Sequence, residues 1–155
     1  MKTRLQHALL TAVLLAGSSA ALSAEGFPAH CAGTYLMAEG GGATSLWTLV
    51  ADGTFFATSS LQPLVNFSDQ QGSWERDGSR GAKGVILALV FQEDNSLQDV
   101  SRVDVTFHTV GNGCDNIAGS LVVRAFEPGE DPLDPSTDDE DPIATDTFTG
   151  RRVRP

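Results

Sequence analysis

The chain from Gly33 to Pro155 predicts an all-β fold: an eight-stranded, antiparallel, up-and-down barrel, with a β-sandwich of the same strands as the alternative. Three observations carry this reading. Short apolar, β-branched or aromatic runs recur with turn residues between them. No segment after the first two dozen residues reads as a helix. Leu46-Trp47-Thr48-Leu49-Val50-Ala51-Asp52-Gly53-Thr54-Phe55-Phe56-Ala57-Thr58 places Asp-Gly between two such runs, the strongest local hairpin signal, because both turn positions favour φ > 0.

The first element is a leader. Lys2 and Arg4 form a positive start, Ala8 to Ala16 is an uncharged apolar run, and small residues follow through Ala20, Ala21 and Ala24. That pattern predicts a secretory signal peptide over residues 1–24, with a single domain over 25–155. The apolar run is short for a bilayer span, and no other segment is long and apolar enough to insert. The expected location is the periplasm or the extracellular medium. The formal net charge of −10 deepens by two when Lys2 and Arg4 leave with the leader. Such an acidic product is not expected to bind nucleic acid or an anionic membrane, where Lys and Arg supply the affinity.

Eight strands are predicted at Thr34–Glu39, Ser45–Ala51, Thr54–Leu61, Gly72–Arg76, Gly84–Gln92, Ser101–Val110, Gly119–Glu127 and Thr145–Val153. The connections are too short for helical crossovers, so consecutive strands form a meander. The turns joining strands 2–3, 4–5 and 6–7 are tight and Gly-rich and share one end of the barrel. The opposite end carries longer connections at 62–71, 93–100 and 128–144, which makes it the expected ligand mouth. Cys31 precedes strand 1 and Cys114 lies in the 6–7 turn, both at the tight end. An isolated pair in an exported protein is read as a disulfide.

Alternation sets the interior. Val103, Val105 and Phe107 form one inward set, Leu121, Val123 and Ala125 another, and Trp74 alternates with Ser73 and Glu75. The hairpin is apolar on both faces; with a two-residue turn, Trp47, Leu49 and Phe56 are assigned to the inside. The alternation around Trp74 is cleaner, so Trp74 is expected to be the more firmly buried tryptophan. Trp47, Phe56, Trp74, Phe107 and Val123 are the candidate ligand-binding residues. Their side chains decide whether the barrel is filled or hollow. Strands 2, 3 and 5 are apolar on their outer side as well, which predicts a covering partner there, such as a second copy in a homodimer.

Gly33-Thr34-Tyr35 matches the spacing of the Gly-x-Trp opening of lipocalins and other calycins, and Gly72-Ser73-Trp74 repeats it. Phe148-Thr149-Gly150-Arg151-Arg152 is similar to the calycin arrangement in which a late arginine packs across the first-strand aromatic. The chain thus resembles small bacterial secreted calycin-like, or lipocalin-like, barrel proteins. The resemblance implies an eight-stranded barrel that binds a ligand. Eight-stranded barrels of the allene oxide cyclase type are a second, looser likeness.

Catalytic templates are absent: there is no Gly-x-Ser-x-Gly elbow, no His-Glu-x-x-His and no phosphate loop. No catalytic residue, metal site or cofactor is therefore assigned. His108 shares the polar face of strand 6 with Arg102, Asp104 and Thr106; that face is expected outside, and turned inward it would supply an acid and a base. Glu127 to Asp141 holds eight acids and no Lys or Arg. It reads as a mobile solvated loop, with Ca²⁺ binding as the alternative although its spacing does not match an EF-hand. Asn66-Phe67-Ser68 matches a glycosylation acceptor, taken as chance in a bacterial-type product. The expected function is non-catalytic binding of a small apolar or amphipathic ligand. The alternatives are a barrel-type isomerase or cyclase using Asp104 and His108, and a structural or interaction protein with a filled barrel.

Overall fold

The computed structural model describes residues 27–137 and 141–155. The predicted leader and the middle of the acidic run lie outside the described residues. Eight antiparallel strands close in sequence order: β1 Gly33–Glu39, β2 Thr44–Leu49, β3 Thr54–Ser59, β4 Gln70–Asp77, β5 Gly81–Phe91, β6 Leu97–Val110, β7 Asn116–Phe126 and β8 Ala144–Arg152. β1 pairs with β8, so the sheet is a closed barrel and not a sandwich. Each predicted strand is present with its ends shifted by a few residues. One helical turn that the sequence did not predict, α1 Gln62–Val65, sits in the β3–β4 connection.

The hairpin register departs from the expected one. Val50 N–H donates to the Thr54 carbonyl at 2.9 Å, so Val50 and Thr54 close a three-residue turn, 51–53, in which Gly53 N–H donates to the Val50 carbonyl at 3.0 Å. Gly53 takes φ +96°, which a side chain would resist. This longer turn sets Leu49 opposite Phe55 and Trp47 opposite Ala57. A one-residue slip exchanges the two faces of a strand. Phe55 is therefore fully buried, whereas Phe56, assigned inside from the sequence, is 43% exposed on the outer face.

The core fills the half of the barrel where the tight turns lie. Trp47 makes edge contacts with Phe55, Phe107 and Phe148, at ring-centre distances of 5.1, 6.4 and 4.6 Å. Trp74 is buried too, its indole N–H donating to the Val50 carbonyl at 2.8 Å, but it meets Phe27 alone among the rings. Trp47 is thus the more deeply packed tryptophan, the reverse of the order expected from alternation. Room for these rings comes from inward glycines. A Cβ on Gly119 would lie 2.1 Å from the Thr106 carbonyl oxygen and 2.8 Å from the Phe148 ring; one on Gly84 would crowd Phe55 and Trp74.

The tight end is sealed by a segment the sequence did not single out. Phe27 enters the barrel base, 5.6 Å from Trp74 and 5.3 Å from Phe107 by ring centres, and its N–H donates to the Gly81 carbonyl. A single 3₁₀ turn, Ala29–Cys31, then carries the chain to the Cys31–Cys114 disulfide. The buried Tyr35 hydroxyl lies 2.7 Å from the Cys31 carbonyl and 3.0 Å from that of Cys114, sharing its proton between them. Burial holds this phenol above its ordinary pKa. Arg152 is the cross-strand partner of Tyr35, and its guanidinium donates to the His30 and Ala32 carbonyls. Its guanidinium bonds thus go to backbone oxygens of the segment before β1.

Candidate functional site

The opposite end is hollow. A cavity of about 390 Å³ opens there, within the size range of small-molecule sites. Its floor and lower walls are Trp47 from β2, Val103 from β6, and Leu121 and Val123 from β7. Alternation explains the cavity. Inward positions shrink toward this end, from Leu49 and Trp47 to Ser45 on β2, from Phe55 to Ala57 and Ser59 on β3, and from Phe107 to Val103 and Ser101 on β6. An eight-stranded barrel holds either a filling of side chains or one small ligand. This barrel does the first in one half and leaves space for the second in the other.

The mouth is shaped by the long connections. Leu61, Val65 and Phe67 project from the β3–β4 connection, and Ile143 from the β7–β8 connection. The β3–β4 connection is fastened to β5: Ser68 N–H donates to the Leu89 carbonyl, Phe91 N–H donates to the Asn66 carbonyl, and Phe67 bridges Val90. Asn66 takes a left-handed φ of 54° that ends α1, and its amide donates to the Phe91 and Gln92 carbonyls. The amide of the sequon is thus already engaged in structure.

Polar groups gather at the rim. Glu39, at the end of β1, accepts a 2.5 Å hydrogen bond from the buried Ser45 hydroxyl. Asp99 on β6 also lines the cavity. Partial burial pushes the Asp99 carboxyl above the usual range; a Gln98 side-chain hydrogen bond opposes this, and the Glu127 charge adds to it. No Lys, Arg or His lines the cavity.

The five candidate ligand residues separate. Trp47 and Val123 line the cavity. Trp74 and Phe107 belong to the packed half and do not reach it. Phe56 lies on the outer face of the barrel, because a three-residue turn in place of a two-residue one shifts its parity. The sequence missed Glu39, Ser45, Asp99 and Ser101 as lining residues. All four extend an inward alternation: Glu39 is two residues beyond inward Met37, Ser45 continues the Leu49–Trp47 series, and Ser101 and Asp99 continue the Val105–Val103 series.

The Arg102–Asp104–His108 series lies on the outer face. Arg102 grips Asp104 with three hydrogen bonds of 2.7–3.1 Å and donates a fourth, of 2.8 Å, to the Pro132 carbonyl. These bonds raise the Arg102 pKa still further. Segment 127–137 is exposed along most of its length, as its composition predicted, but it is a strap tied to the outside of the barrel at Pro132, with Phe126 buried at its base. Its carboxylates serve its own turns: Asp131 accepts from Leu133 N–H, and Asp134 from the Ser136 N–H and hydroxyl. The Ser136 bonds and the Arg102 charge lower the Asp134 pKa.

Among the described residues, His30, Cys31 and Cys114 form the one cluster with metal-ligand atoms close together, and its two sulfurs are joined to each other. No helix of the described residues is long and apolar enough to cross a membrane. Comparison with protein-family models, with curated proteins and with solved structures gives no match to this chain.

Proposed function

We propose that this chain is an exported, calycin-like carrier or sensor barrel that binds one small apolar or amphipathic ligand at its open end, without catalysis. The observation that carries this reading is the 390 Å³ apolar cavity at the end opposite the disulfide. A core able to fill the barrel stops at Trp47, and the inward positions above it are small. Export is supported by the leader pattern of residues 1–24 and by a disulfide that fits an oxidising compartment. The isomerase or cyclase reading loses its acid–base pair, since Asp104 is bound to Arg102 and His108 is solvent-facing.

The test uses the neutral apolar probe N-phenyl-1-naphthylamine. Its fluorescence should rise on binding the folded protein, with energy transfer from Trp47. Ala125→Trp, placed in the cavity wall, should abolish the signal; Phe56→Ser, on the outer face, should leave it unchanged. Loss of binding in Phe56→Ser with retention in Ala125→Trp would locate the probe on the outer face and overturn the proposal. The competing interaction reading draws on exposed Leu36, Leu46 and Phe56 on adjacent strands. Sedimentation of a concentration-dependent dimer that Leu46→Lys dissolves would favour it.

A further inference from the structure

Charge divides along the barrel axis. The open-end connections, residues 40–43, 60–69, 92–96 and 127–143, contain no Lys, Arg or His. Among the described residues they hold Asp69, Glu93, Asp94, Glu127, Glu130, Asp131, Asp134 and Asp141. Most of the cations sit at the other end. Arg76, Arg80, Lys83, Arg151, Arg152 and Arg154 occupy the disulfide half, where Lys83 pairs with Glu75 and Arg154 with Asp115. Arg102 and its cross-strand neighbour Arg124 lie on the outer face of the wall in the open half, Arg102 bound to Asp104 and the strap, so they do not enter the mouth. A cleft with one sign of charge and low-dielectric walls concentrates ions of the opposite sign and speeds their capture.

The inside of the mouth repeats the pattern at contact range. Glu39 and Asp99 enter the cavity from β1 and β6, two different walls, and no basic side chain lines it. Ser45 occupies one Glu39 oxygen, and the second carboxylate oxygen has acceptor capacity left. Below the rim stand Trp47 and aliphatic side chains, and Phe67 closes one side. Carboxylates at the rim above an aromatic and aliphatic floor suit an organic cation, its head held by charge-assisted hydrogen bonds and its body by apolar contact. A carboxylate or phosphate head would meet two like charges and no donor cation.

We propose that the cavity selects organic monocations with an apolar body, the ammonium-type head lying at the rim by Glu39 and Asp99 and the body against Trp47, Val103, Leu121 and Val123. This rests on the cavity being a ligand site. It adds the chemical class of the ligand. A bare divalent ion fits less well, because most of the lining offers no oxygen ligand.

The experiment compares octylammonium, octanol and octanoate, one chain with three heads, on the full exported protein by calorimetry and Trp fluorescence. Octylammonium should bind about tenfold or more tighter than octanol, and octanoate weakest, with the preference shrinking as salt rises. Glu39→Gln, which still accepts from Ser45, and Asp99→Asn should each reduce the ammonium–alcohol ratio. Thermal melts show whether each variant is folded. Octanol binding with no preference for the cation, or with octanoate bound best, overturns the cation proposal and leaves the cavity reading standing. Failure of all three to bind overturns both. Displacement of octylammonium by millimolar Ca²⁺, with calcium raising the melting temperature, would reassign the rim to a hard cation and also overturn it.

Discussion

The two halves of this barrel are built from the same eight strands and differ in almost everything else. The disulfide half is dry, aromatic and cross-braced; the open half is lined by small and polar residues around a void. The backbone does not impose this difference, because each strand runs through both halves. It follows from side-chain volume along the inward positions. At eight strands the interior is near the threshold at which ordinary side chains fill it. Phe55, Phe107 and Ile117 with a Phe27 plug fill one end, whereas Ser45, Ser59, Ser101 and Ala125 leave the other empty. Stability is thereby concentrated away from the cavity, which leaves the cavity free to carry polar groups a packed core would exclude.

The largest expected asymmetry comes from the disulfide. It closes 83 residues of chain, which on chain-entropy grounds stabilises the fold by about 4–5 kcal/mol. The Cys31→Ser, Cys114→Ser double variant should show a urea midpoint lowered to match, while its folded fraction still binds N-phenyl-1-naphthylamine. Thiol titration of the denatured, unreduced wild type should find no free thiol. A binding site lost together with the disulfide would mean that the two halves are coupled and not independent.

Next in size is the contrast between plug and wall. Phe27 has no exposed surface and contacts two rings, so Phe27→Ala should cost about 3–5 kcal/mol. Val123 already borders a void, so Val123→Ala should cost about 1 kcal/mol or less while changing probe affinity. Denaturant melts of both variants measure the gap. Equal losses would show that the open half is packed in solution.

Much of this division could be read from the sequence, and the failures have physical causes. The strand order, the closed barrel and the pairing of Cys31 with Cys114 follow from turn chemistry and from which turns share an end. The mouth was legible too, as the end with long connections. What alternation could not supply was the register of the Asp-Gly hairpin. Both faces there are apolar, so hydrophobicity could not choose between Phe55 and Phe56; the choice rests on whether the turn holds two residues or three. Phe27 was missed because it precedes the first strand and belongs to no periodic run. Acidity hid the strap, since its anchors are backbone carbonyls and its own Asx-type turns, which composition does not report.

That strap gives a smaller effect on the outer wall. The Arg102 side chain is 11% exposed and joins Asp104 to the Pro132 carbonyl. Arg102→Ala should cost about 1 kcal/mol after solvent screening and release segment 127–137 from β6. Hydrogen exchange at Asp131 and Thr137 should quicken, and protease should cut there sooner. Unchanged exchange would mean that the strap is held at its base by Phe126 alone.

The smallest effect on stability is expected at Asp99, and its sign is the informative part. Burial raises this carboxyl above its unfolded value, so folding favours the protonated form. Asp99 therefore contributes most to stability below the ordinary carboxylate pKa, and that contribution is lost as pH rises through the raised value. Asp99→Asn removes a penalty and should raise the melting temperature slightly at pH 7, with no gain at low pH. Binding should move the other way. An ammonium head needs the ionised carboxylate, so octylammonium affinity for the wild type should fall on acidification above the ordinary carboxylate range, while octanol affinity stays flat. Glu127 shares that field and Gln98 holds the carboxyl in place, so Glu127→Gln should shift this fall to lower pH without abolishing it. A variant at Asp99 that gains stability and loses cation preference would mark a residue kept for the site at the expense of the fold. One that loses stability at pH 7 would show that the carboxylate is already paired in the free protein, and the cation assignment would have to be abandoned.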